Sequence, residues 1–409
     1  MANFIHDISA TIDKLYDQEI GKSDIALTAD EKIVAIGKSF SSHSTDAVYG
    51  KLENIVAEQI QATPNIVIEQ YPNLYKSGTE YGEYLQTIRI IANGATKDNS
   101  YFPETDKVYD SFLRYKPNEL IVKIFEGEDS FRLEYWKPVD QMWGCFKNAG
   151  VFGAFLNSIA QAQMDALAMR LQKVAKTCIS YAIAYTLYRA QSNPKGTTLN
   201  ILDQYKKENP NTTLTAADIT AGKIPVDEKK PFYKSVVSSI LNTVDRVESP
   251  NIVHNIDGML EQTTTDRLNL VLLSPFANKI SVDMESEVYH NDLVKLPNFT
   301  KTDSWQAIGE GERAYDPAII SSVQQRIYTD ATQTATFDAE YKNILGIIYD
   351  TRSVGVRQER KSSDAFYNPD VRQVWTSDNY LGQYYFDSSR NFIVIYAKDE
   401  EAPSPTPGV

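Results

Sequence analysis

The alternation of apolar and polar positions predicts short helices at the start of the chain. Apolar side chains recur at steps of three and four over residues 3–20, which is the pattern of an amphipathic helix. Thr28 and Glu31 stand three positions apart, as in a capping box, before a second short helix. A third helix is predicted over 47–61. We therefore predict an N-terminal helical arm over residues 1–62, with an ordinary helical subdomain as the alternative.

A β-rich stretch follows the arm. Residues 84–91 have the composition of a strand, and residues 119–136 predict a hairpin whose two strands meet across a glycine-containing turn. We name residues 75–137 the extended loop. Its hairpin either packs on its own domain or reaches a neighbouring subunit, because exposed strand edges recruit other chains. The candidate assembly residues of the hairpin are Ile121, Lys123, Phe125, Phe131, Arg132, Tyr135 and Trp136.

A helix of unusual length is predicted after the extended loop. No glycine lies between Gly153 and Gly196, and no proline lies between Pro138 and Pro194, while apolar residues continue at steps of two to four. Roughly 35 helical residues rise about 50 Å, some three times the length of an ordinary helix. Such a rod fits against a large sheet or spans a plate-like molecule. Its predicted core side chains are Phe155, Ile159, Leu171 and Val174.

The second half of the chain predicts a mixture of helices and strands. Residues 192–231 are polar and rich in proline and glycine, which predicts a domain crossing or a surface insertion. A helix is predicted over 235–247, and a buried strand over 268–273 leads into a helix that opens at Ser274. Further strands are predicted over 293–296, 305–308, 344–349, 353–358, 371–376, 380–386 and 391–397, with 344–349 and 353–358 forming a pair around the turn at 350–352.

Composition narrows the class of protein. The chain has 409 residues, so it is long enough for two or more core regions. Its formal net charge of −13 argues against a dedicated nucleic-acid binder. No apolar run reaches the roughly 18 residues of a membrane span, and two cysteines do not suggest a disulfide framework. The 25 tyrosines indicate either interfaces, where tyrosine is enriched, or a tyrosine-rich core.

The motifs of the common enzyme classes are missing from the sequence. It contains no nucleophile elbow, phosphate loop, dinucleotide fingerprint, HExxH or CxxC motif, and its four histidines are scattered. His290 with Asp292, and residues 309–312, could suggest a cation site, but both are better interpreted as solvated turns. We therefore predict no catalytic, cofactor-binding or metal-binding residues. An enzyme with an unrecognised site is the weaker alternative.

Three stretches of the chain carry a resemblance to a known family. The first begins at residues 117–118, where the chain enters the hairpin, and runs on through residues 146–159 (FKNAGVFGAFLNSI), which resemble the start of the long helix in the major capsid proteins of tailed bacteriophages. Residues 268–293 resemble the strand and helix of the axial domain in those proteins, and residues 366–395 resemble their returning strands. The likeness is greatest to the head proteins of small short-tailed phages of the Picovirinae type.

The resemblance implies an α+β, Hong Kong 97-like capsid fold with an N-terminal arm, an extended β loop, a long spine helix, and axial and peripheral domains. The protein would then self-assemble into an icosahedral or prolate head shell that encloses double-stranded DNA. The implied division of the chain is 1–62 for the arm, 75–137 for the extended loop, 138–195 for the peripheral domain with the spine helix, 196–357 for the axial domain, 358–398 for the returning strands of the peripheral domain, and 399–409 for a disordered tail.

The same resemblance implies the partners and the location. The chief partner would be the chain itself, in the hexamers and pentamers of a shell, with scaffolding and portal proteins as further partners. Packaged DNA would be held without sequence specificity, and no membrane would be involved. The protein would be assembled in the host cytoplasm and located in the virion. Another virion component, such as a portal, collar or tail protein, is the alternative.

Overall fold

The computed structural model describes most of the chain from residue 144 onwards and selected parts before it. The described residues are 12–13, 16–17, 20, 27–40, 71, 74, 85–91, 119–125, 128–138, 144, 146–192, 196–285, 299–306, 317–328, 336–368, 370 and 373–399. The described helices are α1 (Ala29–Phe40), α2 (Ala149–Ser192), α3 (Ile201–Glu208), α4 (Ala216–Ala221), α5 (Val226–Glu248), α6 (Ser274–Glu285) and α7 (Pro317–Ile320). A 3₁₀ turn covers Thr265–Arg267.

Twelve strands are described, and they form four sheets. In chain order they are β1 (Leu85–Ile91), β2 (Glu119–Phe125), β3 (Glu128–Pro138), β4 (Thr198–Asn200), β5 (Leu268–Leu273), β6 (Phe299–Thr302), β7 (Val323–Tyr328), β8 (Thr336–Tyr341), β9 (Ile344–Asp350), β10 (Val354–Asn368), β11 (Gln373–Phe386) and β12 (Phe392–Tyr396). The strand orders are β1-β2, β10-β11-β3, β4-β12-β9-β5-β6 and β7-β8.

Helix α1 starts at the predicted capping box. The backbone N–H of Thr28 donates to Glu31 Oε2 at 2.8 Å, and the N–H of Glu31 donates to Thr28 Oγ1 at 3.4 Å. The prediction of a short helix here is therefore confirmed. Residues 12–13 and 16–17 are also helical, while the predicted helix over 47–61 lies outside the described residues.

The predicted long helix is confirmed, and it is longer than expected. Helix α2 has 44 residues, which corresponds to a rod of about 66 Å. Two side chains satisfy its first N–H groups. Asn148 Oδ1 accepts from Val151 N at 2.8 Å, and Asp30 Oδ1 of α1 accepts from Ala149 N at 2.7 Å. Because these caps lie before Gly153, the helix begins several residues earlier than the glycine spacing suggested.

The predicted hairpin over 119–136 is wrong. Strand β2 pairs antiparallel with β1, whereas β3 pairs antiparallel with β11. Strand β3 forms eleven cross-strand pairs with β11, whereas β2 has only seven residues. Pairing with β11 therefore offers β3 more backbone hydrogen bonds than a hairpin with β2 would. The turn signal at 126–127 joins two strands that belong to different sheets.

The predicted pairing of 344–349 with 353–358 is also wrong. Strand β9 is central in the five-stranded sheet, between β12 and β5, and β10 pairs with β11 in the three-stranded sheet. The turn between them carries the chain from one sheet to the other, with Ser353 N donating to Asp350 O at 2.8 Å. The strands predicted over 371–376 and 380–386 are one continuous strand, β11.

Three further predictions in the second half can be compared with the structure. Strand β5 and helix α6 are confirmed at their predicted starts. The strand predicted over 305–308 is wrong where it is described, because the strand is β6 and Trp305 follows it in a bend. The predicted strand at 293–296 lies outside the described residues.

The polar segment 192–231 contributes to the core, so its interpretation as a surface insertion is wrong. Strand β4 and helices α3 and α4 lie in it, and Leu199, Leu202 and Ile219 are buried. Helix α5 begins at Val226 and contains Pro231 in its second turn, where the ring leaves the helix without one backbone hydrogen bond. Few apolar residues suffice in this segment because most of the large ones are buried.

The core lies on the five-stranded sheet. All seven residues of β9 are buried, and five of them pack in one apolar cluster with the C-terminal half of α2, with α5 and with α6. A smaller group of buried residues, including Ile33 and Phe152, lies where α1 meets the start of α2. Strand β12 belongs to the five-stranded sheet, whereas β10 and β11 belong to the three-stranded sheet. The domain boundaries stay predictions.

Candidate assembly surfaces

The two-stranded sheet β1-β2, which we call the ribbon, exposes an apolar pair. Seven cross-strand pairs join Leu85–Ile91 to Glu119–Phe125. Ile88 and Val122 are direct partners in this register, and their exposed fractions are 57% and 46%. Since neighbouring positions on both strands are half-buried, one face of the ribbon is turned towards solvent and the other towards the body of the protein.

Arg89 fixes the body-facing side of the first ribbon strand. Its guanidinium forms an ion pair with Glu261 and donates to the backbone oxygens of Ser389 at 2.9 Å and Leu260 at 3.4 Å. These acceptors come from two segments far along the chain. Arg89 therefore joins the ribbon to both the 251–261 loop and the connection between β11 and β12.

Lys123 makes the corresponding contacts from the second ribbon strand. Its Nζ lies 2.5 Å from Asp257 Oδ2 and 3.0 Å from Asp387 Oδ1, and it donates to Ser388 Oγ at 3.1 Å. Ser388 in turn donates to Asp257 Oδ2 at 2.9 Å. The 251–261 loop and the connection between β11 and β12 therefore bind both strands of the ribbon.

Glu261 is the centre of the charged groups at the ribbon base. It is 6% exposed, and besides Arg89 it meets Arg352 at 2.7 Å and Arg390 at 2.8 Å. Arg352 also bridges to Asp350 Oδ2 at 2.6 Å. We call this set the ion cluster; its members are Arg89, Lys123, Asp257, Glu261, Asp350, Arg352, Asp387 and Arg390.

The ion cluster lowers the pKa of two of its carboxylates, Asp350 and Asp387. Burial raises the pKa of Asp350, but hydrogen bonds from Arg352 outweigh burial and leave that pKa below its ordinary value. Burial likewise raises the pKa of Asp387, and hydrogen bonds from Ser389 together with the charge of Lys123 bring it below the ordinary value. Paired charges of this kind tolerate burial because each has a partner.

The remaining predicted hairpin residues pack mainly within the chain. Phe125 lies 5.0 Å from Tyr385 between ring centroids, and Phe131 lies 5.2 Å from Tyr380. The Arg170 guanidinium lies 5.2 Å from the Phe131 ring, in a cation–π contact. These side chains therefore attach β2 and β3 to the body.

The other three hairpin residues lie on β3, and Ile121 lies on β2. Arg132 is exposed and donates to Asn379 Oδ1 at 3.0 Å. Tyr135 and Trp136 stand opposite β11 in the register, and their side chains lie outside the described residues. Ile121 is half-buried opposite Arg89. Sequence reasoning missed the exposed Ile88–Val122 pair, because only the partner of β2 shows that the two residues meet.

Comparison with known proteins identifies the family. Residues 10–396 match the family model of the Phi29-like phage major capsid protein. The chain belongs to this family. A comparison with curated proteins found no match.

The fold of this capsid protein is shared by a solved phage capsid. The capsid structure of Staphylococcus phage Andhra is 8% identical, with 82% of this chain and 86% of that chain covered and a TM-score of 0.52. The capsid of Cyanophage P-SCSP1u is 10% identical over 80% of this chain and 87% of that chain, with a TM-score of 0.45. The mature capsid of bacteriophage PhiM1 is 8% identical over 82% and 90%, with a TM-score of 0.42.

The expected identity, fold and function are therefore confirmed. The protein is a shell-forming major capsid protein with a Hong Kong 97-like fold; it assembles into multimers and is located in the virion. In the described part of the chain, no helix has the length and apolarity needed to cross a membrane.

The predicted spine residues lie along α2 of this capsid protein. Leu171 is buried in the core, Val174 packs against it, and Phe155 is half-buried. The side chain of Ile159 lies outside the described residues. The helix therefore joins the core through its C-terminal half.

The described residues offer little conventional site chemistry. Burial raises the pKa of the Cys178 thiol to about 12, so this cysteine stays protonated at neutral pH. Within the described ranges, no group of three or more His, Cys, Asp or Glu side chains could hold a metal ion. The cation sites considered at His290 and at 309–312 lie outside those ranges.

Proposed function

We propose that copies of this capsid protein are joined through the ribbon, whose Ile88–Val122 face docks on a neighbouring copy. The observation that carries the proposal is that these two apolar side chains are register partners and both exposed. A two-stranded sheet is marginally stable alone, so covering its apolar face stabilises it. The ion cluster supports the proposal because it holds the opposite face of the ribbon against its own chain.

Opposite charges on the ribbon test this proposal. In the double variant Ile88→Lys with Val122→Glu, the two new charges attract across the strands, so the ribbon is kept while its apolar face is lost. We expect the variant to fold and to form no shells. Circular dichroism checks the fold, and sedimentation with electron microscopy checks assembly.

Val226→Glu provides the matched control. Val226 is the most exposed of the large apolar residues described and begins α5, away from the ribbon. We expect this variant to assemble normally. Normal shells from the double variant would refute docking through the ribbon. Deleting 119–136 would be a poorer test than the double variant, because it would also remove most of β3 from the three-stranded sheet.

We propose further that the protein catalyses no reaction and forms hexamers and pentamers around double-stranded DNA without sequence-specific contacts. The net charge of −13 supports the last point, since strong DNA binding depends on basic side chains that neutralise phosphates. Scaffolding and portal proteins are proposed partners during assembly in the host cytoplasm.

A further inference from the structure

The 251–261 loop at the base of the ribbon presents three apolar side chains to solvent. Ile252, Val253 and Leu260 are 54%, 45% and 68% exposed. Single exposed apolar residues are ordinary on a protein surface, whereas several gathered on one segment indicate an interaction site. The loop is therefore a candidate contact surface.

Backbone pairing brings two of these residues together. Asn251 and Glu261 form an antiparallel bridge, in which Asn251 N donates to Glu261 O at 2.9 Å and Glu261 N donates to Asn251 O at 2.8 Å. Continuing this register by one position places Ile252 across from Leu260. Side chains alternate along an extended segment, and in agreement Glu261 is buried while Leu260 is exposed. We call Ile252 and Leu260 the loop pair.

Hydrogen bonds hold the loop in one conformation. Asn255 is buried, and its side chain donates to Met259 O at 2.7 Å and accepts from Met259 N at 2.8 Å. His254 Nδ1 lies 2.6 Å from Gly196 O, and His254 O accepts from Phe392 N at 3.1 Å. A surface that is fixed in this way loses little conformational entropy when a partner binds.

The loop pair cannot cover the apolar face of the ribbon in its own chain. Arg89 reaches Leu260 O at 3.4 Å and the carboxylate of Glu261 from the body-facing side of the ribbon. The loop therefore lies on that side. Ile88 and Val122, which we call the ribbon pair, face the opposite way and are exposed. An apolar cover for the ribbon pair must come from another molecule.

A second copy of the chain carries a surface that matches the ribbon pair. The chain belongs to a family of capsid proteins, whose copies assemble into multimers. Among the residues that the structure describes, no other cross-strand pair besides the ribbon pair and the loop pair combines two exposed large apolar side chains. A contact between two different surfaces of one chain continues from copy to copy until a ring closes, as assembly into a shell requires.

We propose that the ribbon pair of one copy docks on the loop pair of the next copy. This inference rests on the proposed docking of the ribbon and names the surface that receives it. The contact is stabilised because the apolar side chains of both pairs leave water when they meet.

Replacing the apolar contact with an ion pair tests the proposal. Val122→Glu and Leu260→Lys each place an unpaired charge in the contact, so each should raise at least about tenfold the subunit concentration at which shells form. In the double variant, opposite charges meet at every junction between copies, and we expect most of this loss to be recovered. Sedimentation and electron microscopy measure assembly, and circular dichroism checks each fold. Ile252→Lys replaces Leu260→Lys if that variant does not fold.

Val122→Glu combined with Val226→Lys is the matched control. It has the same formal charge as the test double, and Val226 is 84% exposed at the start of α5, outside the ribbon and the loop. We expect this control to assemble as poorly as Val122→Glu alone, so that recovery depends on the position of the lysine and not on net charge.

The results separate this inference from the docking of the ribbon itself. Normal assembly of Leu260→Lys and Ile252→Lys, with poor assembly of Val122→Glu, would exclude the loop as the receiving surface and leave the ribbon docking in place. Normal assembly of Val122→Glu would refute both proposals. No recovery in the test double, or equal recovery with Val226→Lys, would also overturn the contact between ribbon and loop.

Discussion

Glu261 shows how one side chain can fix the position of a whole element. Its carboxylate meets the guanidinium groups of Arg89, Arg352 and Arg390, and only the first of these belongs to the ribbon. Removing the charge from such a group takes a shared anion from three arginines at once, although Arg352 keeps Asp350 and Arg390 keeps Asp387, and breaking a buried pair costs far more than the pair contributes when intact. The three arginines that Glu261 binds come from distant segments of the chain. The role of Glu261 could therefore not be predicted from the residues next to it in the sequence.

The variant Glu261→Gln should destabilise the subunit. The amide keeps the shape of the side chain but leaves three guanidinium groups without their shared anion, so we expect a loss of about 3–5 kcal/mol in the free energy of unfolding. Urea unfolding of unassembled subunits measures this loss.

Asp338→Asn is the control for Glu261→Gln. Asp338 pairs with Arg326 at 2.7 Å, but both side chains are exposed, so solvent and salt screen the pair and we expect only a small loss from this variant. Equal losses from the two variants would contradict the special role of Glu261.

At the scale of elements, local signals in the sequence predicted what each segment is but not what it pairs with. The capping box of α1 and the uninterrupted helical pattern of α2 depend on neighbours within a few positions, and both helices were confirmed. The pairing of β3 with β11 joins residues more than 200 positions apart, so no turn between adjacent strands could reveal it. The Ile88–Val122 pair could not be predicted for the same reason, because it depends on which strand pairs with β2.

Acid should release the ribbon from the body. Asp350 and Asp387 have pKa values below their ordinary value of 3.8, so their contribution to stability is complete above that value and is lost as the pH falls through the lower, folded value. Glu261 and Asp257 face the same cations, Arg89, Lys123, Arg352 and Arg390, and Tyr385 also lies near Asp387.

Hydrogen exchange of residues 85–91 and 119–125 measures this release. We expect protection, corrected for the intrinsic rate at each pH, to be constant from about pH 5 to 7 and to fall below about pH 4. Asp387→Asn should show weaker protection at pH 7 and a smaller change on acidification. A protection that does not change with pH in the unsubstituted chain would refute the role of the ion cluster.

At the scale of the whole molecule, net charge bears on what the shell holds. A chain with a formal charge of −13 carries a net repulsion for phosphates. If the proposed DNA is packaged, the shell would then confine it without binding it strongly.

Unassembled subunits should therefore bind duplex DNA weakly. In a gel-shift experiment with random-sequence DNA at 150 mM salt, we expect no complex at protein concentrations up to about 10 μM, because non-specific binding scales with the number of neutralised phosphates. A complex that forms below that concentration and weakens steeply with salt would contradict the proposal.

The short connection between β2 and β3 has a consequence for how neighbours can share this element. Phe125 ends β2 and Glu128 begins β3, so three peptide steps separate them and the two ends can lie at most roughly 11 Å apart. A tether of this length holds the end of the ribbon close to the start of β3. Wherever a subunit places its three-stranded sheet its ribbon goes with it, so the position of that sheet decides which surroundings the ribbon can meet.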